Sequence, residues 1–368
     1  MKILIDGRLY GLENAGLGRY LINLVASLSN KDSKNSYVIL LRKKYFESLT
    51  LPTNWKKILT DFPHYSFAEQ FKLPSIIKKE KPDLVHFPHF NVPILFRGRY
   101  VVTIHDMLMH KSVGLASTTL NPLMYLVRRM GYRFTFDNAV KNATKVIVPS
   151  LTVKKELSEF YPGIEGKTIV TYEGVHEVGE TSKTNDIHKK PYFIYTGNAY
   201  PHKNLNRLVK AMVLLNNKLD QSVNLLIASS RGIFTQRLEK TIKREKAENC
   251  VKLLGYVSDK DLFQLYKNAV GYVSPSLSEG FGLPGLEAMT VGTLVLASNI
   301  PVFKEIYSNN AFYFSPTDPM SIAETMKEAL EMKDIIREER IKKGKDFAKR
   351  YSWDKMAEET LEIYHSIK

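Results

Sequence analysis

Residues 274–289 read Ser274-Pro-Ser-Leu-Ser-Glu279-Gly-Phe-Gly-Leu-Pro284-Gly-Leu-Glu287-Ala-Met289, and the order of residue types decides what element this must be. Just upstream, Gly271–Ser274 is a short aromatic and β-branched run that predicts a strand. Downstream, Pro284 suits the first turn of a helix, where its missing N–H costs nothing, so a helix is expected from about Leu283. Between them, Gly280 and Gly282 let the backbone approach a ligand closely, because no Cβ intervenes. The free amides of a helix's first turn, together with its dipole, form an anion site. Glu279 precedes the turn, and Glu287 stands about one turn into the helix. A carboxylate facing two vicinal hydroxyls accepts two charge-assisted hydrogen bonds, which suits a ribose or a hexose. Two glutamates on an isolated glycine turn would as readily be solvated. Turn, proline, helix start and both acids together make the stretch specific.

The same strand-turn-helix rhythm runs outward in both directions. After a polar stretch from Ser182 to Lys190, read as the domain linker, strands are expected at Tyr192–Tyr195, Val223–Ala228, Val251–Leu254 and Thr293–Ala297. Helical patterns lie between them at Leu205–Leu215, Arg237–Ala247 and Asp261–Ala269. The N-terminal half has apolar runs at Ile3–Ile5, Tyr37–Leu41, Leu84–Phe87, Val101–Ile104 and Val146–Val148. A polar, glycine-containing loop from Asp6 to Gly18 separates the first run from a helix carrying Leu21, Leu24, Val25 and Leu28. Short runs alternating with helix-sized intervals argue for parallel sheets covered on both faces. The fold expected is therefore α/β, with two Rossmann-like doubly wound domains facing a central cleft. Their bounds are read as 1–182 and 183–350, and residues 351–368 as a C-terminal helix packing back towards the first domain.

Composition narrows the class. A chain of 368 residues suits two domains, and 44% hydrophobic with 25% charged residues is a globular balance. No apolar run nears the roughly 18–20 residues that span a bilayer, and Met1-Lys-Ile-Leu-Ile-Asp6 meets an acid too soon for a signal peptide. One cysteine, Cys250, excludes an internal disulfide framework and fits a cytoplasmic setting. The net charge of +15 is compatible with nucleic acid, an anionic membrane face or phosphorylated small molecules, and equally with simple solubility.

The stretch from Glu279 to Glu287 resembles the signature of family 4 retaining glycosyltransferases of GT-B architecture, and the order of elements resembles theirs over nearly the whole chain. That resemblance implies that Glu279 binds the donor sugar's hydroxyls and Glu287 the nucleotide ribose. Backbone at Gly280, Phe281, Gly282 and Leu283 would contact the sugar and diphosphate. Thr196-Gly197-Asn198, followed by Pro201-His-Lys203-Asn204, is similar to the family's phosphate-binding loop, with Lys203 at the expected lysine. Asn198 stands where many members have arginine, with His202 and Arg207 nearby to compensate. Asn204 reads as a helix N-cap. Backbone near Tyr256 and Val257 would read the base edge. In the N-terminal half, His105 after Thr103-Ile104 matches the family's cleft histidine, and Gly16 in Asn14-Ala-Gly16-Leu-Gly18-Arg19 its glycine loop. Arg19 faces either acceptor or solvent, while His86, His89 and Glu305 read as structural.

The implied reaction transfers a hexose from a nucleotide sugar, GDP-mannose before a UDP-sugar, to a hydroxyl of a glycan or lipid-linked acceptor. The family mechanism is front-side displacement with retention, in which the departing phosphate takes the acceptor's proton; no metal or other cofactor is expected. Glu279 and Glu287 are then a binding clamp and not the acid–nucleophile pair of a glycosidase. Residues 122–136 mix bulky apolar side chains with Arg128, Arg129 and Arg133, which suits either docking at an anionic membrane or a core helix with a basic edge; Arg42–Lys44 and Lys78–Lys81 add basic clusters. The location implied is cytoplasmic, at the membrane's inner face. Three other functions compete with this one. A GT-B relative such as an epimerase or phosphorylase is nearest. A dinucleotide oxidoreductase is disfavoured because Asp6-Gly-Arg-Leu-Tyr10 replaces a compact Gly-x-Gly-x-x-Gly. A nucleic-acid-binding protein lacks a recognition helix or aromatic sheet motif.

Overall fold

The computed structural model describes residues 1–111, 121–175, 190–219 and 222–367. The stretch read as the domain linker, 182–190, lies outside the described residues apart from Lys190. Strands β1 (Lys2–Asp6), β2 (Ser36–Leu41), β3 (Trp55–Leu59), β4 (Leu84–Phe87), β5 (Tyr100–Thr103), β6 (Lys145–Val148) and β7 (Thr168–Val170) come first. With them run helices α1 (Ala15–Lys31), α2 (Lys43–Ser48), α3 (Phe67–Glu80), α4 (Leu108–Lys111), α5 (Pro122–Asn142) and α6 (Leu151–Phe160). There follow β8 (Tyr192–Thr196), β9 (Asn224–Ala228), β10 (Val251–Gly255), β11 (Gly271–Ser274), β12 (Val295–Ser298) and β13 (Ala311–Phe314). Their helices are α7 (Leu205–Asn216), α8 (Ile233–Arg244), α9 (Asp259–Asn268), α10 (Leu283–Val291), α11 (Pro301–Tyr307), α12 (Pro319–Leu330), α13 (Asp334–Ala348) and α14 (Trp353–His365).

Two units result. The first holds described residues 1–111, 121–174 and 352–367, and the second 175, 190–219 and 222–351. The first unit's sheet has the order β3-β2-β1-β4-β5-β6-β7, the second's β10-β9-β8-β11-β12-β13, and every pairing is parallel. Both are doubly wound, with the strand order reversing between β1 and β4 in one and between β8 and β11 in the other. The inner strands are buried along their length, β4 and β5 at every position, because helices cover both faces.

The first core packs Val85, Val102 and Val146 of the sheet against Phe136 and Val140 of α5. α14, although last in the chain, belongs to this unit and lies on α1. Ser27 donates to Asp354 at 2.8 Å, Lys31 pairs with Glu358 at 2.9 Å, and Tyr364 meets the buried His86 at 2.6 Å. In the second core, Phe193, Leu225 and Val273 pack against Leu208 and Met212 of α7 and Met326 of α12.

Three strands escaped the sequence reading: β3, β7 and β13. All three are sheet edges, where β3 follows Trp55 with two adjacent lysines and β7 has three residues. The expected loop from Asp6 to Gly18 is shorter than read, since α1 already starts at Ala15 and both Gly16 and Gly18 are helical. The charged helix expected at 237–247 starts earlier, at Ile233 behind Gly232, and ends at Arg244.

Candidate active site

In open parallel sheets a ligand binds beyond the carboxyl ends of the strands, where the order reverses. In the second unit that place is framed by the segments leaving β8 and β11. β8 runs into Gly197, at φ +140°, and then into a short 3-10 turn, Pro201–Lys203. β11 runs into Pro275 and on to Glu279, before α10. The two segments are tied together by backbone and side chain: Leu277 N–H donates to the His202 carbonyl at 2.8 Å. Lys203 Nζ donates to Glu279 Oε1 at 2.6 Å, and Ser276 Oγ donates to the same oxygen at 2.7 Å. The ion-paired side chains are 18% and 15% exposed, so the pair is shielded without being sealed. Burial alone would raise the Glu279 carboxyl, but the Lys203 charge and both hydrogen bonds outweigh it and hold the pKa below the ordinary carboxylate range. Both donors use Oε1, which leaves Oε2 without a donor among the described residues.

Asn204 occupies the N-cap position of α7, yet its side chain does not cap. It sits at φ +60°, and its amide donates to the Pro275 carbonyl at 2.9 Å and the Pro316 carbonyl at 2.7 Å. It is a latch between three strand ends, which corrects the capping role expected of it. Its Oδ1 accepts from Arg207 Nη1 at 2.9 Å. Burial, and then the adjacent Lys203, lower the His202 imidazole to about 4, so it is neutral near pH 7 and supplies no charge. The Asn198 side chain accepts from Tyr200 N–H at 3.3 Å, within its own loop. His202 is therefore uncharged and does not stand in for an arginine at Asn198, while Arg207 gives one N–H to Asn204 and keeps its charge and its other donors.

α10 is buried on nearly every side, including Glu287 at 7% exposure. Its start is shaped by Gly282, at φ +114°, where a Cβ would stand 2.5 Å from the Tyr307 hydroxyl. That hydroxyl donates to the Gly282 carbonyl at 2.6 Å. The Phe281 side chain turns into the core against Tyr351, 5.6 Å between ring centres, leaving only backbone from Gly280 to Leu283 for a ligand. Tyr256 and Val257 follow the end of β10, with Tyr256 76% exposed. Lys203, Glu279 and the start of α10 thus form one cluster, with Gly197 and Asn198 on the same β8 loop.

His105 and Gly16 belong to the first unit. His105 lies just past the end of β5, where Nε2 donates to the Pro88 carbonyl at 2.9 Å and Nδ1 faces Glu173 Oε1 at 3.3 Å. Its ring stands edge-on to Tyr20, 4.8 Å between centres. Gly16 differs from the other α1 glycine. A Cβ on Gly18 would fall 1.8 Å from the Gly11 carbonyl oxygen, so packing demands that glycine; a Cβ on Gly16 would meet nothing within 4 Å. Protein packing does not account for Gly16. His86, fully buried, joins the Tyr364 hydroxyl to the Thr103 hydroxyl, and burial lowers it to about 3. Among the described residues, no three His, Cys, Asp or Glu side chains gather as metal ligands would.

Residues 179–347 match the family described as "Glycosyl transferases group 1", and residues 15–177 match "Glycosyltransferase Family 4". The chain belongs to glycosyltransferase family 4. This glycosyltransferase is 27% identical over 361 residues to the O-antigen chain mannosyltransferase RfbU of Salmonella typhimurium, covering 94% of each chain. It is 32% identical over 380 residues to the serotype-specific mannosyltransferase WbdA of Escherichia coli, covering 95% of this chain and 45% of that one. Among solved structures, sucrose-phosphate synthase of Thermosynechococcus elongatus superposes with a TM-score of 0.78 at 19% identity, covering 100% and 98% of the two chains. Anabaena HepE, solved with UDP and glucose, gives 0.75 at 19% identity over 100% of both. The architecture is GT-B.

The sequence reading of the glycosyltransferase missed one polar cluster. At the end of β1 the buried Arg8 binds Asp6 through Nε at 2.8 Å and Nη2 at 2.6 Å, and Nη2 also reaches the buried Glu69 at 2.6 Å. Asn91 and the Tyr65 backbone complete the Glu69 carboxylate. Asp6 and Arg8 were visible as a broken nucleotide fingerprint, but Glu69 is 61 positions from Arg8, and nothing local marks the partnership. Among the described residues, no helix is long and apolar enough to cross a membrane.

Proposed function

We propose that this glycosyltransferase moves a hexose from a nucleotide sugar, GDP-mannose in preference to a UDP-sugar, onto a hydroxyl of a glycan or lipid-linked acceptor at the cytoplasmic face of a membrane. The anomeric configuration is retained through front-side displacement, without a metal ion. The observation that carries this reading is the Lys203–Glu279 pair set between a glycine turn and the start of a buried helix. Glu279 keeps Oε2 for the donor's sugar hydroxyls, and Glu287 serves the ribose. Lys203 has further N–H bonds beyond the one given to Glu279, so it can hold the diphosphate at the same time. As the glycosidic bond to phosphate breaks, negative charge grows on the leaving diphosphate, and Lys203 with the first amides of α10 stabilises it. The acceptor oxygen bonds to the anomeric carbon on the face the phosphate leaves, and its proton passes to that phosphate. Gly16 gives backbone access in the first unit, and His105 orients the donor sugar. That relatives are named mannosyltransferases supports mannose as the sugar, and with it our choice of GDP-mannose; the UDP-glucose complex of HepE keeps a UDP-sugar as the second choice.

Thermal unfolding with UDP-, GDP- and ADP-sugars tests the donor. At a hundred times its Kd, a true donor stabilises by about 2.7 kcal/mol. Product anomeric configuration, read by NMR, then tests retention. No stabilisation by any nucleotide sugar would sink the proposal, and acceptor-independent conversion of the sugar would point to the epimerase alternative.

A further inference from the structure

Helix α5 has two unlike sides. Tyr132, Phe136, Ala139 and Val140 are buried in the first unit's core. On the opposite side, Leu123, Leu126, Val127, Met130 and Phe134 are 73%, 53%, 61%, 64% and 61% exposed. Spacings of three and four place them in one stripe along the helix. A globular helix ordinarily turns polar residues outward, so a continuous apolar stripe marks a surface that meets something. Further along the same side stand Arg133, Asp137 and Lys141, four residues apart.

These three line a cavity of about 430 Å³ with His110, Tyr161 and Lys167, a volume typical of small-molecule sites. Its hydrogen bonds leave a net positive interior. Tyr161 donates to Asp137 and accepts from His110 Nε2 at 3.1 Å, while Tyr132 donates to His110 Nδ1 at 2.6 Å. Lys167 caps the end of α5 by donating to the Lys141 and Ala143 carbonyls at 2.7 and 3.0 Å. Asp137 is thus engaged by a neutral tyrosine, although Arg133 and Lys141 lie one turn away on either side. Both cations are exposed, and neither side chain has an ion-pair partner among the described residues. Arg128 adds an exposed charge beside the stripe. Apolar area next to unpaired cations is the pattern of a helix lying in an anionic lipid interface.

We propose that this side of α5 docks on an anionic phospholipid bilayer, the stripe entering the acyl boundary and the cavity taking a lipid phosphate. This rests on the membrane-side reading above, but not on the donor chemistry. The chain's net charge of +15 favours the same encounter. The test is flotation of the full chain with vesicles of phosphatidylcholine alone or mixed with phosphatidylglycerol, at low and high salt. The wild type floats with the anionic vesicles and is released by salt. Arg133→Gln with Lys141→Gln weakens that binding by about fivefold for each cation removed. Leu126→Ser with Met130→Ser weakens it by roughly tenfold or more. Asp137→Asn keeps an acceptor for Tyr161 while removing the acid, and tightens binding by about fivefold. Absence of flotation, or charge variants that bind as the wild type does, overturns the proposal. So does stabilisation by inorganic phosphate alone, lost in the charge variants, without vesicle binding: that outcome assigns the cavity to a soluble phosphate compound. Transfer to a soluble acceptor, measured in parallel, stays at the wild-type level in all these variants. Its absence in the wild type, with flotation intact, would defeat only the proposed function.

Discussion

Replacing Lys203 with methionine removes one charge from the donor cluster and little volume. At 2.6 Å and an effective dielectric of about 20, the attraction to Glu279 is gross some 6 kcal/mol. Most of that offsets desolvation, since both side chains are largely buried, and a net loss of roughly 1–3 kcal/mol is expected. For a unit the size of the second one, that lowers its melting temperature by about 2–4 °C per kcal/mol. The chemical effect is larger. Losing one preorganised donor to a developing oxyanion costs about 10²–10³ in kcat. Turnover is read as nucleoside diphosphate release at saturating donor, beside a thermal melt of the same sample. The discriminating companion is Lys203→Met combined with Glu279→Gln, a neutral pair. It recovers most of the lost stability, because no unpaired charge remains, while turnover stays low. Turnover that returned together with stability, or a single variant within about threefold of wild type, would show that Lys203 only braces Glu279.

Three more predictions follow from particular contacts. Gly16→Ala leaves the melting temperature unchanged or raises it through up to about 1 kcal/mol of helix propensity, yet lowers transfer at least tenfold; Gly18→Ala, driving a Cβ onto the Gly11 carbonyl, fails to fold, and full activity of Gly16→Ala would return that glycine to a local role. Because the native Glu279 carboxyl lies below its unfolded value of about 4.3, the pair's stabilisation is complete above that pH and is lost as pH falls through the native value; Glu279→Gln flattens this acid limb of a melting-temperature profile. Tyr364→Phe strips the buried His86 of its 2.6 Å partner and costs about 1–3 kcal/mol in a urea titration, with donor-induced stabilisation unaltered.

Legibility of the fold followed burial. β4 and β5, covered on both faces, must be apolar throughout and announce themselves as Leu84–Phe87 and the run beginning at Val101. β3 needs to satisfy one neighbour only, so Lys56 and Lys57 fit it and hide it. The turn from Glu279 to Pro284 was readable because proline and glycine each have a narrow geometric use. Asn204 was misjudged for the converse reason. Its residue type suits a cap, but whether its amide reaches Pro275 and Pro316 depends on strands brought together from 71 and 112 positions away. Lys203 and Glu279 were both singled out as candidates, yet their pairing is a property of neighbouring β8 and β11, which a linear reading does not contain.

The placement of α14 reverses an expected order of assembly. Ribosomal synthesis delivers residues 1–174 first, but the helix that covers α1 and bonds His86 is made only after all of the second unit. Domains usually fold as they emerge, N-terminal ones earliest. Here the second unit has its whole sequence before the first does. A fragment ending at 174 would carry an uncovered α1 and a His86 left with Thr103 but without Tyr364, so chaperone capture of nascent chains should persist until α14 appears.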